Sequence, residues 1–479
     1  MTNQKLPSPL IAVIPVLVLV GLVVLSLILF GSDALSGASQ MSLLIAAAFA
    51  LLLGRATVHF HWSDFEKQLH KNFKNISGAL IILLIIGALS ATWMLSGVVP
   101  LFIVYGMKLI HPAVFLLVAC VISAVVSVLT GSSWTTIATI GLALLGIGKS
   151  MGYAEGWIAG AIISGAYFGD KMSPLSDTTV LASSVTGTPL FSHIRYMLFT
   201  TVPSFVITLL VFIIAGWLFP VYNTGDSAVY EELLSSRFNL SPWLLIVPVL
   251  TALMIVRRWP AMITLFLSML LALAAALVFQ PALIREIGSV STDSFALVRG
   301  AFLSTFGSTA VEAGNAEINE LITTRGMQGM LNTIWIILCA TTFGAAMAAT
   351  RMIESITGLL LRRVHSTTGM VGATVGTGVL TNLTMGDQYL GLILTGNIYK
   401  EMYRQRGYES CLLSRSMEDS VTVTSVLVPW NSCGMTQSTV LGVATLEYFP
   451  YAVFNYVSPL MSVFIAGIGY KIFKKEIPS

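Results

Sequence analysis

Apolar runs recur along this chain, several of them of bilayer-spanning length, and two further apolar stretches are interrupted midway by polar residues around a proline. The runs fall near 10–30, 41–54, 77–97, 98–110, 196–219, 240–256, 259–279, 294–307, 330–350 and 449–470. A helix needs about 20 apolar residues to cross the hydrocarbon core, so the pattern predicts an all-α polytopic membrane protein. The interrupted spans cover roughly 156–186 and 415–446. The first holds Gly169-Asp170-Lys171-Met172-Ser173-Pro174-Leu175-Ser176-Asp177-Thr178, the second Ser425-Val426-Leu427-Val428-Pro429-Trp430-Asn431-Ser432-Cys433-Gly434. Proline removes a backbone donor and disrupts a helix. Unpaired backbone groups each cost several kcal/mol in hydrocarbon, so a break is tolerated there where it is buried or lines a cavity. Pro174 and Pro429 therefore mark two broken helices, the kind of element that holds ions or substrates in secondary transporters.

Two further segments, 112–148 and 367–398, are too long for one crossing and carry a polar cluster at their centre. Each predicts a re-entrant hairpin, with tips at 130–136 and 381–388. The order helix, short helix, hairpin, broken helix, helix thus occurs twice. A displacement of 252 places Ala88 on Ala340, Gly106 on Gly358 and Thr130 on Asn382, and one of 255 places Pro174 on Pro429 and Asp177 on Ser432. The chain divides into an N-terminal transmembrane helix within 1–40, a first repeat over 41–220, a linker with two transmembrane helices over 221–293, and a second repeat over 294–479. An odd number of crossings between the repeats would make them inverted. Basic residues mark the cytoplasmic side of short loops. That rule places segment 55–74, the loop 400–415 and the tail with Lys471, Lys474 and Lys475 inside, and the acidic loop with Glu231 and Glu232 outside.

Composition agrees with this layout. Of 479 residues, 56% are hydrophobic and 10% charged, with a mean hydropathy of +0.85. Soluble domains carry about 25% charged residues, so no sizeable water-soluble domain is expected. The net charge of +3, with basic residues dispersed between apolar runs, argues against nucleic acid as a partner. The four cysteines show neither metal spacing nor a disulfide framework. Residues Ala143 to Ser150 imitate a phosphate-binding loop, but the leading glycine and the preceding strand are missing. No catalytic triad is evident, and no enzyme is expected.

An alkali cation stripped of water needs hard oxygen ligands, and the tips and breaks supply them. Asp170, Asp177 and Asp387 are their acids; Ser132, Ser133, Thr135, Ser173, Ser176, Asn382, Thr384, Asn431 and Ser432 are neutral donors. Asp177, Asp387, Asn382 and Asn431 are the expected Na+ ligands, and Glu418 and Asp419 are further candidates for a proton site. Lys171 adjoins Asp170 and offers it an ion-pair partner, while no arginine stands out as buried. A carboxylate in low dielectric resists ionising, so Na+ and a proton can compete for one group.

At these residues the chain resembles the NhaC family of sodium/proton antiporters, within the ion transporter superfamily. The likeness rests on Ser164 to Thr178, on Thr381 to Tyr389, on Glu418-Asp419 and on Pro429 to Gly434. It implies inverted repeats, hairpins entering from opposite faces and a bacterial inner-membrane location. It also implies a secondary active transporter exporting Na+ in exchange for protons, with no cofactor. The alternative is a Na+- or H+-coupled exchanger or symporter of a small organic anion such as malate or lactate, or of an amino acid, since the resemblance extends to such carriers. Expected partners are Na+, H+ and the lipid bilayer, and a homodimer is open to it.

Overall fold

The computed structural model describes residues 6–58, 60–218, 224–289, 295–362, 364 and 366–473. Lys474 and Lys475 of the basic tail lie outside them. The chain begins with α1 (Pro9–Phe30), α2 (Ala38–Val58), α3 (Trp62–Leu95) and the short α4 (Val98–Leu109). Next come α5 (Phe115–Thr130), α6 (Ser133–Thr136), α7 (Leu142–Ser150), α8 (Glu155–Met172), α9 (Asp177–Thr186) and α10 (Leu190–Leu218). The middle of the chain supplies α11 (Thr224–Arg237), α12 (Ile246–Val256), α13 (Ala261–Phe279), α14 (Pro281–Gly288), α15 (Ala296–Phe306) and α16 (Ala316–Ile322). There follow α17 (Leu331–Ala349), α18 (Met352–Arg362), α19 (Thr367–Met385) and α20 (Gln388–Gln405). The chain closes with α21 (Ser410–Met417), α22 (Ser432–Leu441), α23 (Thr445–Tyr448) and α24 (Val453–Gly467).

Among the described residues, seven helices are long and apolar enough to cross a membrane, or up to nine if two sharply bent pairs each count as one span. The only strand-like pairing among them is an isolated bridge between Thr309 and Thr324. The outward faces of α1, α10 and α13 expose Leu17, Ile28, Leu210, Ile214, Phe266 and Val278, as a lipid-facing surface does. Several sequence expectations change in detail. The run 240–256 is preceded by a sharp bend, because residues 229–237 and 242–256 meet at 87°. The second interrupted span runs over 410–441 instead of 415–446, since α21 starts at Ser410 and Gly442 ends α22. The expected basic loop 400–415 is mostly helical, so Arg415 stands inside α21 and not in a loop.

The polar clusters interrupt helices where expected, and local chemistry shows how. Gly131 and Gly386 adopt left-handed φ values of 68° and 65°, which cost glycine nothing. The next residue caps a new helix in each case: the Ser132 side chain accepts from the Thr135 amide, and the Asp387 side chain from the Tyr389 and Leu390 amides. At the prolines, Ser173 and Val428 are extended, and helices restart behind Ser176 and Asn431. Five residues in each of two places, Ile137–Gly141 and Glu418–Thr422, form a π-helical turn.

The first hairpin and the first broken helix are fastened where α5 crosses α8. A Cβ on Gly165 would collide with the Cys120 carbonyl, and one on Gly169 with the Ala124 carbonyl. The Ser127 hydroxyl reaches across to donate to the Ala166 carbonyl at 2.5 Å. Small residues let backbones meet this closely in membranes, where packing replaces the hydrophobic effect. Gly165→Val should therefore destabilise the protein by at least about 1–3 kcal/mol, the usual cost of overpacking. Thermal unfolding in detergent measures this, and an unchanged midpoint would contradict so close a crossing.

Candidate cation-binding site

Each hairpin tip meets one helix break, and an aspartate joins them. Asp170, on the last turn of α8, is buried. Its Oδ2 accepts from the Ser133 amide at 3.0 Å and the Ser133 hydroxyl at 2.7 Å, and its Oδ1 accepts from the Ser176 hydroxyl at 2.6 Å. One carboxylate thus ties the first tip to the first break. Ser176 also lies 2.9 Å from the Thr178 hydroxyl.

At the second tip the aspartate comes from the hairpin itself. Asp387 caps α20 with Oδ1, and its Oδ2 accepts from the Ser432 hydroxyl at 3.0 Å. The Ser432 amide donates to the Gly386 carbonyl at 2.8 Å. Asn431 donates to the Asn382 carbonyl at 3.1 Å, and Trp430 donates to the Leu383 carbonyl at 2.8 Å. Asn382 spends its amide hydrogens on the Val421 carbonyl and the Thr424 hydroxyl, which leaves its buried Oδ1 without a hydrogen-bond partner. A buried amide oxygen of this kind is an open ligand position.

The remaining candidates divide. Ser132 and Thr135 line a cavity together with Asp177, which is exposed to it at the first turn of α9. Ser173 donates to the Val128 carbonyl at 2.8 Å and Thr384 to the Leu380 carbonyl of its own helix at 2.8 Å, so both hydroxyls serve the backbone. The cavity measures about 690 Å³ and also receives Asp170, Arg258, Gln388 and Tyr389. Tyr389 stands within electrostatic reach of Asp170, Asp177 and Asp387.

One register relates the two halves of this arrangement. A spacing of 255 carries Gly131 to Gly386, Ser132 to Asp387, Ser133 to Gln388, Asp170 to Ser425, Ser176 to Asn431 and Asp177 to Ser432. The C-terminal glycines of α9 and α22 follow it, with φ of 74° at Gly187 and 72° at Gly442. Contacts follow it as well: Ser133 bonds Asp170, and Ser425 donates to Gln388 at 3.3 Å. The tips therefore correspond at 255, not at the 252 that placed Thr130 on Asn382. In the pairs Ser132/Asp387, Asp170/Ser425 and Asp177/Ser432 an acid in one half corresponds to serine in the other.

Lys171 does not pair with Asp170. Its fully buried ammonium bonds Asp419 Oδ1 and lies 3.2 Å from the Ser458 hydroxyl. Thr200 and Ser458 also donate to that oxygen, at 3.1 and 3.2 Å. Arg415, equally buried, has its Nε 3.8 Å from Asp419 Oδ2 and its guanidinium 4.9 Å from the centre of the Tyr196 ring. The expectation of no buried arginine fails because Arg415 continues a helix into the core, where the sequence suggested a loop. Thr200 and Ser458 were not singled out from the sequence. Their signal was a polar row at helical spacing, Thr200, Ser204 and Thr208 on α10 and Asn455, Ser458 and Ser462 on α24, all buried.

Comparison with known proteins gives a family match and full-length relatives. The sequence profile of the Na+/H+ antiporter family matches residues 165–470. The Na+/H+ antiporter NhaC of Alkalihalophilus pseudofirmus is 34% identical over 91% of this chain and 90% of its own. The malate-2H+/Na+-lactate antiporter of Bacillus subtilis is 32% identical, over 88% and 87%. The arginine/ornithine antiporter ArcD of Halobacterium salinarum is 30% identical, over 99% and 94%.

A buried ion pair costs little as a pair and much when halved, because the remaining charge is desolvated and unmatched. Lys171→Met should lower stability by about 3–5 kcal/mol. Adding Asp419→Leu should restore at least half of that loss. A thermodynamic cycle from melting in detergent tests the coupling, and additive losses would refute it.

Proposed function

The chain belongs to the Na+/H+ antiporter family, and from that premise we propose that its paired tips and breaks form the exchange site. It is a multi-pass membrane protein that exchanges Na+ for protons. Asp170, Asp177 and Asp387 take the cation, and protons compete for the same carboxylates. Ser132, Ser133, Thr135, Ser176, Asn382, Asn431 and Ser432 complete the oxygen set as the ion moves between the clusters. The observation that carries this reading is the bridging of tip to break by Asp170 and Asp387. A cation drawing either carboxylate toward itself loosens the joint between two elements, which is how an ion of one charge can bias a conformational change.

The halves are read as inverted repeats whose hairpins enter from opposite faces of a bacterial cytoplasmic membrane. The 690 Å³ cavity reaches Asn75 and Gly78 on the first half of α3, whereas a second cavity of about 230 Å³ meets Gly87 and Met94 on its second half. Basic residues in 55–74 assign the first of these to the cytoplasmic side.

The cavity also favours a second reading. It is far larger than a bare Na+ and its mouth carries Arg258, so a small carboxylate or amino acid fits beside the cation.

Reconstitution in liposomes with a pH dye distinguishes the two. Added Na+ alone should drive proton flux; flux that appears only with malate, lactate or an amino acid would establish the second reading. Asp170→Asn and Asp387→Asn should each lower Na+-dependent proton flux at least about tenfold, the scale of one partly buried charge interaction. Normal flux in both variants would remove these aspartates from the site.

A further inference from the structure

Glu418 is fully buried on a π-helical turn, its carboxylate has no well-formed hydrogen bond, and the Thr422 hydroxyl of the same turn is the one neutral group within reach of it. An ionised carboxylate in that state is strongly disfavoured, whereas a neutral acid is tolerated. Lys171, Asp170 and Asp419 act on it electrostatically, and further ionisable groups stand on the elements packed around it. From α8 come Asp170 and Lys171, from its own segment Arg415 and Asp419, and from α20 Tyr399 and Tyr403. Asp177 begins α9, and His193 on α10 bonds Ser414 at 2.8 Å. The α19 sequence carries no ionisable side chain, and Tyr456 of α24 donates to the Pro450 carbonyl.

When Asp170 is matched by a bound cation, the remaining charges of this cluster balance only with Glu418 ionised. Lys171 and Arg415 bring two positive charges, and Asp419 brings one negative. Ionised Glu418 closes the sum to zero; protonated Glu418 leaves one positive charge uncompensated. That charge sits next to the cation cluster, because Asp170 and Lys171 are consecutive residues on one helical turn that face different ways. Asp170 faces the Ser133 and Ser176 hydroxyls, while Lys171 faces Asp419. A positive charge unmatched at Lys171 opposes a cation at Asp170.

We propose that Glu418 is a proton-binding site separate from the cation-binding carboxylates, and that its protonation expels Na+ by leaving Lys171 and Arg415 undercompensated beside Asp170. The inference rests on the exchange reading and adds to it a proton that need not share a carboxylate with Na+. The charge balance for one half-cycle is simple. One proton from water converts carboxylate to acid, and one Na+ departs.

The test is tracer Na+ exchange in liposomes, with the apparent KM for Na+ read on the acid and alkaline sides of neutrality. Wild type should bind Na+ more weakly on the acid side. Glu418→Gln should raise the alkaline-side KM about tenfold, as expected for one unit charge acting over roughly 10 Å, and leave the acid-side KM near wild type. Glu418→Asp should restore the pH response. Arg415→Gln removes a cation and should lower the acid-side KM about tenfold. The proposal is overturned if Glu418→Gln keeps the wild-type alkaline KM, if it shifts both sides equally, or if it abolishes tracer exchange, which would place Glu418 among the cation ligands. Should Glu418→Gln fail to fold, an unchanged acid-side KM in Arg415→Gln overturns it alone. Failure of the exchange reading would show differently, as absence of Na+-driven flux in wild type itself.

Discussion

Every interruption in this bundle must satisfy its own backbone and charged groups without help from water, and the interior is arranged around that constraint. The left-handed glycines at 131 and 386 turn the chain, and the next side chain caps the new helix. The freed carbonyls of the second broken span are taken up by Asn382 at Val421 and by Asn455 at Val423. Among the buried polar atoms left without a hydrogen-bond partner are Asn382 Oδ1, both carboxylate oxygens of Glu418 and the Arg415 guanidinium, together with Gln437 and several hydroxyls elsewhere in the core. In a low-dielectric interior such leftovers are costly unless they have a task.

Much of the architecture was legible from the chain, because hydrocarbon permits few solutions. Apolar runs near 20 residues and prolines flanked by Ser, Asp and Asn pointed to crossings and breaks; Asp170 does meet Ser133 and Ser176, and Asp387 does meet Ser432. Other features were hidden for physical reasons. Sequence adjacency suggested that Lys171 neutralises Asp170, yet adjacent side chains on a helix point about 100° apart, and Lys171 turns toward α21 and α24 instead. Arg415 read as loop charge because helix ends are poorly marked when polar residues are functional. The π-helical turn at Glu418 to Thr422 has no periodic signature, so neither it nor the isolation of the Glu418 carboxylate could be anticipated.

The register of 255 also explains why the internal likeness was faint. Acid and hydroxyl trade places between corresponding positions: Asp170 with Ser425, Asp387 with Ser132, Asp177 with Ser432. Identity at the positions that matter most is thereby erased, while caps, glycines and prolines keep the backbone alike. No corresponding pair holds two acids, which limits like-charge repulsion in the core.

The crossing at Gly165 and Gly169 has a mechanical side. Two helices whose backbones touch, with the hydrogen-bonded Ser127 side chain between them, have little that can slip. The α5–α8 pair therefore behaves as a single lever, carrying the first tip at one point and Asp170 with Lys171 at another. A displacement felt by the lysine reaches the serines of the tip undiminished, so the stiffness of one contact sets how faithfully distant parts of the core stay in step.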